Sequence, residues 1–469
     1  MASFRADKPE VGSFAIGQLL QRLATFPTPP RYWVGFSGGA DSTALLVALN
    51  ELGPDLAAEF HAIHFNHGLQ TAADDWQEHC LSFCEKNNIP LFIQQLELNV
   101  PPGQSPEEQA RHQRYAAVER LLGDGEMYLT AHHADDNAET FFLHLMRGSG
   151  MDGLAAIPPL RKIGKGWVAR PLLEFRRRDL EFFLRQRNIP WLQDPSNLDP
   201  AYDRNYVRNS LFPALDQRWP GVVKRLNQTA SHARDFTAVL ARLLASRHGN
   251  LILDSHTLAL EPFLGLDPEL QAMLLRQWLR DQEIISPPKQ RLREFLNQLK
   301  TSQQAGKQPE LRWARQLIKR HGKTLWLHEL PCPDQCPDRL WASGMNLDLG
   351  ADFGQIRLSG NPVNIPQGWE IGPRRKGARM MQHTEGPRRK LKELMRQCRL
   401  PPWLRSAVPV LYWQGEVAAV GDWLLSAKLQ RWLSDRSCVY TWQPDHPLLC
   451  KLQSVSVHSL DQAESFDES

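Results

Sequence analysis

The sequence predicts an α/β protein: a doubly wound, mostly parallel sheet, followed by an α-helical domain and a small α+β C-terminal domain. Three observations lead there. From Trp33 to about Pro213, short apolar runs alternate with longer amphipathic segments, the pattern of a parallel sheet covered by helices. From Arg208 onward the period becomes helical for roughly a hundred residues. Beyond the proline-dense stretch Pro331-Cys-Pro-Asp-Gln-Cys-Pro-Asp338, β-like runs such as Gln355-Ile-Arg-Leu358 and Val408-Pro-Val-Leu-Tyr-Trp413 mix with a basic helix near Leu391 to Cys398. A chain of 469 residues, at about 150 residues per domain, suggests two or three domains. They are expected at 1–216, 217–330 and 346–452, with 331–345 a linker and 453–469 a disordered tail.

In the first domain, strands are expected at Tyr32 to Phe36, Glu59 to Phe65, Leu91 to Leu96 and Met127 to Thr130, and helices begin near Ser42, Ala73, Pro106 and Asp135. Ligands of such sheets collect beyond the carboxyl ends of the strands, where Ser37, Asn66 and Ala131 emerge. The motifs therefore converge on one edge.

Composition excludes several classes. No apolar stretch is long enough to span a bilayer, and Arg5, Asp7, Lys8 and Glu10 interrupt any secretion signal, so a cytoplasmic protein without a membrane partner is expected. Seven cysteines are too few and too odd in number for a disulfide framework. Cys80 with Cys84 fits one buried helix face better than a metal site, and Cys332 with Cys336 sits in the proline-rich stretch. A net charge of +3 does not announce nucleic-acid binding, but its distribution does. Between Arg374 and Arg405 the cations, including Arg388, Arg389 and Lys390, are opposed only by Glu385 and Glu393, and Trp403 lies beside them, as on a phosphate-contacting face.

The string Ser37-Gly-Gly-Ala-Asp-Ser42 lies between a strand and a helix start. Its glycines let backbone approach an anion, first-turn N–H groups point outward, and Ser37 and Ser42 add hydroxyl donors. It lacks the lysine of a Walker A loop and the third glycine of a dinucleotide fingerprint. It resembles instead the PP-loop of ATP pyrophosphatases, which implies cleavage of ATP to AMP and pyrophosphate while a substrate oxygen is adenylated. The second string, His132-His133-Ala-Asp135-Asp136-Asn-Ala-Glu139-Thr140, sets Asp135 or Asp136 with Glu139 on one helix face. These acids fit Mg²⁺ or a cationic amine; zinc fits less well, because adjacent histidines diverge and no cysteine is near.

Read on, the sequence gives Arg147-Gly-Ser-Gly150, Asp152-Gly-Leu154, Arg170-Pro-Leu-Leu173, Asp194-Pro-Ser-Asn197, Arg204-Asn205 and Arg208, with His61-Ala-Ile-His-Phe-Asn-His-Gly-Leu69 and Glu107 to Tyr115 upstream. In order and spacing this resembles the tRNA(Ile)-lysidine synthetase family. Leu391-Lys-Glu-Leu394 and Pro401-Pro-Trp-Leu-Arg405 extend the likeness to the C-terminal domain, while the middle stretch fits by helical character. Gln70 stands where the family usually has arginine.

The resemblance implies that ATP and Mg²⁺ are used to attach free L-lysine to the wobble cytidine of tRNA(Ile) with a CAU anticodon, so that the tRNA accepts isoleucine and reads AUA. Ser37, Gly38, Gly39, Ala40, Asp41 and Ser42 would bind ATP phosphates, and His64 and Asn66 the adenosine. Asp41 would hold Mg²⁺ with Asp135 or Asp136. Asp136 and Glu139 would hold the lysine ammonium, with His133, whose ordinary pKa is about 6.5, as a candidate base. Asp41, His133, Asp136 and Glu139 form the expected catalytic set. Arg111, Arg114, Arg147, Arg204, Asn205, Arg208, Arg388, Arg389 and Lys390 are the candidate tRNA contacts, local salt bridges being the competing reading for Arg204 to Arg208. A homodimer stays open. The alternatives are a 2-thiocytidine thiolase of the same loop class, which would want paired cysteines at the site, and a non-catalytic RNA-binding protein.

Overall fold

The run Tyr32-Trp-Val-Gly35 forms β1 because alternate side chains serve two cores: Tyr32 and Val34 join one buried cluster and Trp33 another. A computed structural model describes residues 14–66, 73–96, 106–193, 199, 202–301, 309–342, 346–360, 365–383, 386–398, 400–450 and 452. The expected tail at 453–469, Gln70 and most of the loop from Asp194 to Pro200 lie outside the described residues. The chain divides into two compact units, residues 1–240 and 241–469.

The first unit runs α1 (Ile16–Leu23), β1 (Tyr32–Gly35), α2 (Ala40–Leu52), β2 (Phe60–Asn66), α3 (Ala73–Lys86), β3 (Leu91–Gln95), α4 (Pro106–Leu121), β4 (Met127–Leu129), α5 (Ala134–Met146), α6 (Met151–Leu154), β5 (Leu160–Ile163), β6 (Gly166–Ala169) and α7 (Arg177–Gln186). Then come α8 (Asp203–Tyr206), a π-helical turn (Val207–Leu211), α9 (Phe212–Arg218) and α10 (Val222–His248), which crosses into the second unit. The six strands order as β3-β2-β1-β4-β6-β5, parallel except for β5 against β6. The four expected strands are all present. The chain moves outward from β1 through β2 to β3 and then returns to β4 on the other side of β1. That reversal opens a crevice beyond the carboxyl ends of β1 and β4.

Helix α2 is buried almost all round, Ala44 to Leu49 being enclosed between the sheet and α1 and α7. This anchors the loop in front of it. Cys80 and Cys84 on α3 lie in the same core, where burial pushes both thiols up to about 12; for Cys80 the neighbouring Cys84 adds to the rise. The buried-face reading of that pair therefore holds. Among the described residues no group of three or more His, Cys, Asp or Glu side chains is gathered as for a metal ion. Nor is any described helix long and apolar enough to cross a membrane.

The second unit begins with β7 (Ile252–Asp254), β8 (Thr257–Ala259), α11 (Leu260–Leu264), α12 (Pro268–Asp281), α13 (Lys289–Thr301), β9 (Glu310–Trp313), β10 (Gln316–His321) and β11 (Thr324–Glu329). The helices expected between 217 and 330 are there, but they share the stretch with a five-stranded antiparallel sheet, β7-β8-β11-β10-β9. Helical periodicity missed it because its two longest strands, β10 and β11, bury consecutive residues, Leu317-Ile318 and Leu325 to His328, and show no alternation. In β9 only Leu311 and Trp313 alternate inward, onto Leu274, Trp278 and Phe295.

The remainder comprises β12 (Arg339–Leu340), β13 (Asn346–Asp348), β14 (Gln355–Ser359), β15 (Trp369–Gly372), β16 (Arg379–Met380), β17 (Arg389–Lys390), α14 (Leu391–Gln397), β18 (Val410–Trp413), β19 (Glu416–Val420), β20 (Leu424–Leu425), α15 (Ala427–Ser434) and β21 (Val439–Gln443). Three small sheets and two helices surround a tryptophan-rich core in which Trp369 meets Trp341, Trp432 and Trp413 at ring distances of 5.3, 5.1 and 6.0 Å. Residues 331–342, the described part of the segment expected as a linker, reach this core through Cys336 and Trp341. Cys336 N donates to Ser406 O at 2.9 Å, and Trp341 is buried in this core.

Candidate active site

A cavity of about 410 Å³ opens at the crevice beyond β1 and β4, lined by the loop after β1, by His64, by Thr130 to His132, and by Asp136, Arg204 and Arg208. Its floor is the loop Ser37 to Ser42. Gly38 has φ +79°, and a Cβ there would stand 2.9 Å from Leu192 Cδ1, so both conformation and space require glycine. Gly38 O accepts from Leu192 N at 2.9 Å, which ties the loop down. The hydroxyls of Ser37 and Ser42 lie 3.0 Å apart, and Ser42 Oγ accepts from Ser37 N at 3.2 Å. Thr43 N makes the first bond back, to Gly39 O at 3.0 Å, so the amides of Ala40, Asp41 and Ser42 have no carbonyl within the helix to serve. Amides at a helix start flanked by two hydroxyls make an anion cradle.

The cavity's acidic side is the start of α5. His133 caps the helix in a reciprocal box: Asp136 N donates to His133 Nδ1 at 3.3 Å, and His133 N donates to Asp136 Oδ2 at 3.1 Å. The ring proton is thereby placed on Nε2, 3.5 Å from Asp41 Oδ2 and 3.4 Å from Asp136 Oδ2. Burial would lower the His133 pKa, but Asp136, Asp41 and Asp135 outweigh it and raise it to about 9. A second ring proton would have to displace the Asp136 amide from Nδ1, so the cap opposes what the carboxylates favour. In either state His133 offers these acids a donor from Nε2. His132 is the opposite case. It shares a 2.7 Å hydrogen bond with Thr130 Oγ1, and burial, opposed by Asp136 but aided by Arg170, Arg204 and Arg111, pushes its pKa down to about 3. One histidine holds its proton and its neighbour resists taking one.

Asp135 does not reach the cavity. Arg176 Nε and Nη2 donate to its Oδ1 at 3.0 and 2.9 Å, and Arg177 N donates to Oδ2 at 2.8 Å. Burial raises the Asp135 pKa, but Arg176 and this amide outweigh it and hold the carboxyl below its usual range. Asp135 thus ties α5 to α7, and of the two aspartates offered as partners of Asp41 it is Asp136 that lines the cavity with it. Asp41 Oδ1 is buried with no hydrogen-bond partner among the described residues.

Arg204 and Arg208 turn inward. Arg204 Nε donates to Glu139 Oε2 at 2.7 Å and its Nη2 to Asp136 Oδ1 at 3.2 Å. Arg208 Nε donates to Glu139 Oε1 at 2.7 Å, and its Nη2 to Asp136 Oδ1 at 2.9 Å. The local salt-bridge reading is the one observed, and Glu139, at 0% exposure, has both oxygens engaged. Burial raises the Asp136 pKa, but His133, Arg204 and Arg208 outweigh it and hold the carboxyl well below its usual range. Arg204 belongs to α8 and Arg208 to the π-helical turn Val207–Leu211 that follows it, and both elements pack against α5.

The other expected contacts divide. His64 Nδ1–H donates to Phe36 O at 2.9 Å and the ring lines the cavity; burial, opposed by that bond and aided by Arg114, lowers its pKa. Arg114 and Asn205 line it too, Asn205 Nδ2 donating to Asp199 O at 2.9 Å. Asn66 is not part of the lining: its Nδ2 donates to Gln77 Oε1 at 3.0 Å. Arg147 caps the far end of α5, a 13-residue helix and so about 20 Å from His133. In the second unit Arg388 Nη2 pairs with Glu416 Oε1 at 2.7 Å and Arg389 Nη2 donates to Gln397 Oε1 at 2.7 Å, while Lys390 stands just before α14 without a side-chain capping bond. A separate cavity of about 460 Å³ there is lined by Arg375, Lys376, Arg379, Arg388, Trp413 and Lys428.

Residues 14–215 match the PP-loop domain model, 258–326 the TilS substrate binding domain and 369–442 the TilS substrate C-terminal domain. The tRNA(Ile)-lysidine synthase of Methylococcus capsulatus is 34% identical over 84% of this chain and 92% of its own. That of Pseudomonas syringae pv. tomato is 36% identical over 86% and 91%. The chain belongs to the tRNA(Ile)-lysidine synthase family. It is thereby placed among ATP-dependent ligases that form a C–N bond. A solved U34-tRNA thiolase from Methanococcus maripaludis is similar at a TM-score of 0.40 and 19% identity over 46% of this chain and 77% of its own, too low a likeness to bear on function.

In this lysidine synthase family member, Tyr115, the last residue of the stretch Glu107 to Tyr115, lines the cavity, and so do Thr130 and Tyr128, which no motif includes. Nothing in the local pattern marks Thr130 or Tyr128. Tyr128 is visible only through Gly35, where a Cβ would collide with its hydroxyl.

Proposed function

We propose that the chain attaches free L-lysine to C2 of the wobble cytidine of CAU-anticodon tRNA(Ile), through an adenylated cytidine, releasing pyrophosphate and AMP and so changing the tRNA to isoleucine acceptance and AUA decoding. The observation that carries this reading is the meeting, in one cavity, of an amide-lined anion cradle with the acids Asp41 and Asp136. Cytidine O2 attacks the α-phosphorus of ATP and pyrophosphate departs; the ε-amine of lysine then attacks C2, and O2 leaves with AMP. The amides of Ala40 to Ser42 and the hydroxyls of Ser37 and Ser42 suit the β and γ oxygens, on which charge accumulates as pyrophosphate leaves. His64 lies beside this cradle, where the adenosine would fit.

Mg²⁺ fits the orphaned Asp41 Oδ1 and the facing Asp136, an all-oxygen pair of the type that ion prefers. Bound there it would offset phosphate charge. The lysine ammonium suits Asp136 and Glu139, whose present partners are the guanidinium groups of Arg204 and Arg208, so lysine would compete with Arg204 for oxygens they share.

The test incubates the purified chain with ATP, Mg²⁺, labelled lysine and CAU-anticodon tRNA(Ile). Label should enter the tRNA with one AMP formed per lysine. AMP formation without label in the tRNA, or transfer of sulfur instead, would overturn the reading.

A further inference from the structure

Tyr115 on α4 lines the cavity and is the centre of a cationic cluster. Two exposed guanidinium groups approach its ring, Arg111 at 5.7 Å and Arg161 at 5.3 Å from the centroid. Its hydroxyl accepts from Arg170 Nη2 at 3.3 Å. Arg170 is only 3% exposed; its Nη1 donates to Pro158 O at 2.8 Å, and its Nε is buried without a hydrogen-bond partner among the described residues. Among those residues no carboxylate pairs with Arg111, Arg161 or Arg170.

This contrasts with the other side of the cavity, where Asp136 and Glu139 answer the charges of Arg204 and Arg208. A buried guanidinium facing a phenol and two further cations is poorly compensated, since a hydroxyl dipole returns only part of the lost hydration. The field extends into the cavity, for Arg170 and Arg111 are among the charges that depress His132. An anion at this rim would relieve the imbalance, and guanidinium forks match phosphate oxygens two at a time. Both ATP and RNA could bring a phosphate. The triphosphate already has the cradle at Ser37 to Ser42, and exposed Arg111 and Arg161 suit a polymer passing the mouth.

We propose that Arg161 and Arg111 clamp one backbone phosphate of the RNA strand next to the base that enters the cavity, with the buried charge of Arg170 behind them, and that Tyr115 is the positioning residue holding these guanidinium groups together. This rests on the function proposed above and adds residues to it.

The experiment measures, with the full-length chain, equilibrium binding of unmodified CAU-anticodon tRNA(Ile) over a salt series, and separately of a fluorescent ATP analogue. Arg161→Glu should weaken RNA binding roughly 10-fold and lower the slope of log affinity against log salt by about one, since one fewer phosphate contact releases counterions. Tyr115→Phe should weaken it roughly 3-fold and lower the slope in the same direction, a change that looser packing alone would not produce. ATP affinity should stay within about twofold in Arg161→Glu. RNA affinity and slope unchanged in Arg161→Glu, or a loss of ATP affinity with RNA binding intact, overturns the proposal. Arg161 is on the surface, so its result is readable even if an Arg170 variant fails to fold. Wild-type protein that binds RNA yet makes no lysidine would sink the proposed function and leave the clamp standing; lysidine formation with RNA affinity indifferent to Arg161 would do the reverse.

Discussion

Glu139 and Arg208 form a two-point ion pair, Arg208 Nε donating to Oε1 at 2.7 Å and Nη2 to Oε2 at 3.0 Å, with the Glu139 side chain wholly enclosed. Removing the acid leaves two arginines facing a cavity with half their partners gone, and breaking a buried pair from one side typically costs about 3–5 kcal/mol. Glu139→Ala should therefore lower the stability of the first unit by about that much, read as a shift of the urea midpoint, besides raising the lysine concentration needed for turnover. A loss under about 1 kcal/mol would mean that the pair contributes little to the fold.

Asp41→Asn keeps the shape of the first turn of α2 and removes one charge from the group around His133. If Asp41 serves the phosphate chemistry, AMP formation should fall by a factor of about 10² or more, the scale of losing one electrostatic stabiliser, with the circular dichroism spectrum unchanged. A mutant that formed AMP normally but bound tRNA less tightly would remove Asp41 from the chemistry.

The two histidines should titrate far apart. For His133 the folded pKa of about 9 exceeds the unfolded value of about 6.5, so its contribution to stability is complete below pH 6.5 and is lost as pH rises through 9. For His132 the folded pKa of about 3 lies below the unfolded value, so its contribution is complete above about 6.5 and declines as pH falls toward 3. Histidine-resolved NMR should find one ring titrating near 9 and its neighbour silent above about 4. In His133→Gln the loss of melting temperature between pH 7 and 9 should flatten; an unchanged slope would place the titrating group elsewhere.

The pair between Arg388 and Glu416 is exposed on both sides, so it should add no more than about 1 kcal/mol to stability. Charge reversal at Arg388 and Arg389 together should leave the melting temperature nearly unchanged and weaken tRNA binding about 10-fold at low salt, with ATP affinity unaffected. Equal tRNA affinity in the double mutant would return this basic run to an ordinary solvated face.

How far the chain could be read from its residues varies by element. The strand, loop and helix around Ser37 to Ser42 were legible because a short apolar run, two glycines and a helical run are local signals, and the start of α5 was legible because acids three residues apart must share a face. The β7 to β11 sheet was not, since β7 to β9 are only three or four residues long and β10 and β11 bury consecutive residues, which leaves no period of two to register. The packed stretch around Trp341 was hidden too, because proline density speaks of backbone and not of which core will receive a tryptophan.

At the site, the sequence by itself determined which groups are available: the amides of the loop, the carboxylates of Asp41, Asp135, Asp136 and Glu139, two adjacent histidines, and a surplus of arginines. Only the tertiary structure decided how they pair. Asp135 turns to Arg176 on α7 while Asp136 faces Asp41, although the two are neighbours in the chain, because successive residues on a helix point about 100° apart and meet different elements. His133 and His132 are driven in opposite directions by one set of charges, since a pKa depends on distances across the fold and burial, and neither is written in local order. Arg204 and Arg208 answer acids that precede them by 65 to 72 residues, and that pairing exists only once α8 and its π-helical turn are packed against α5.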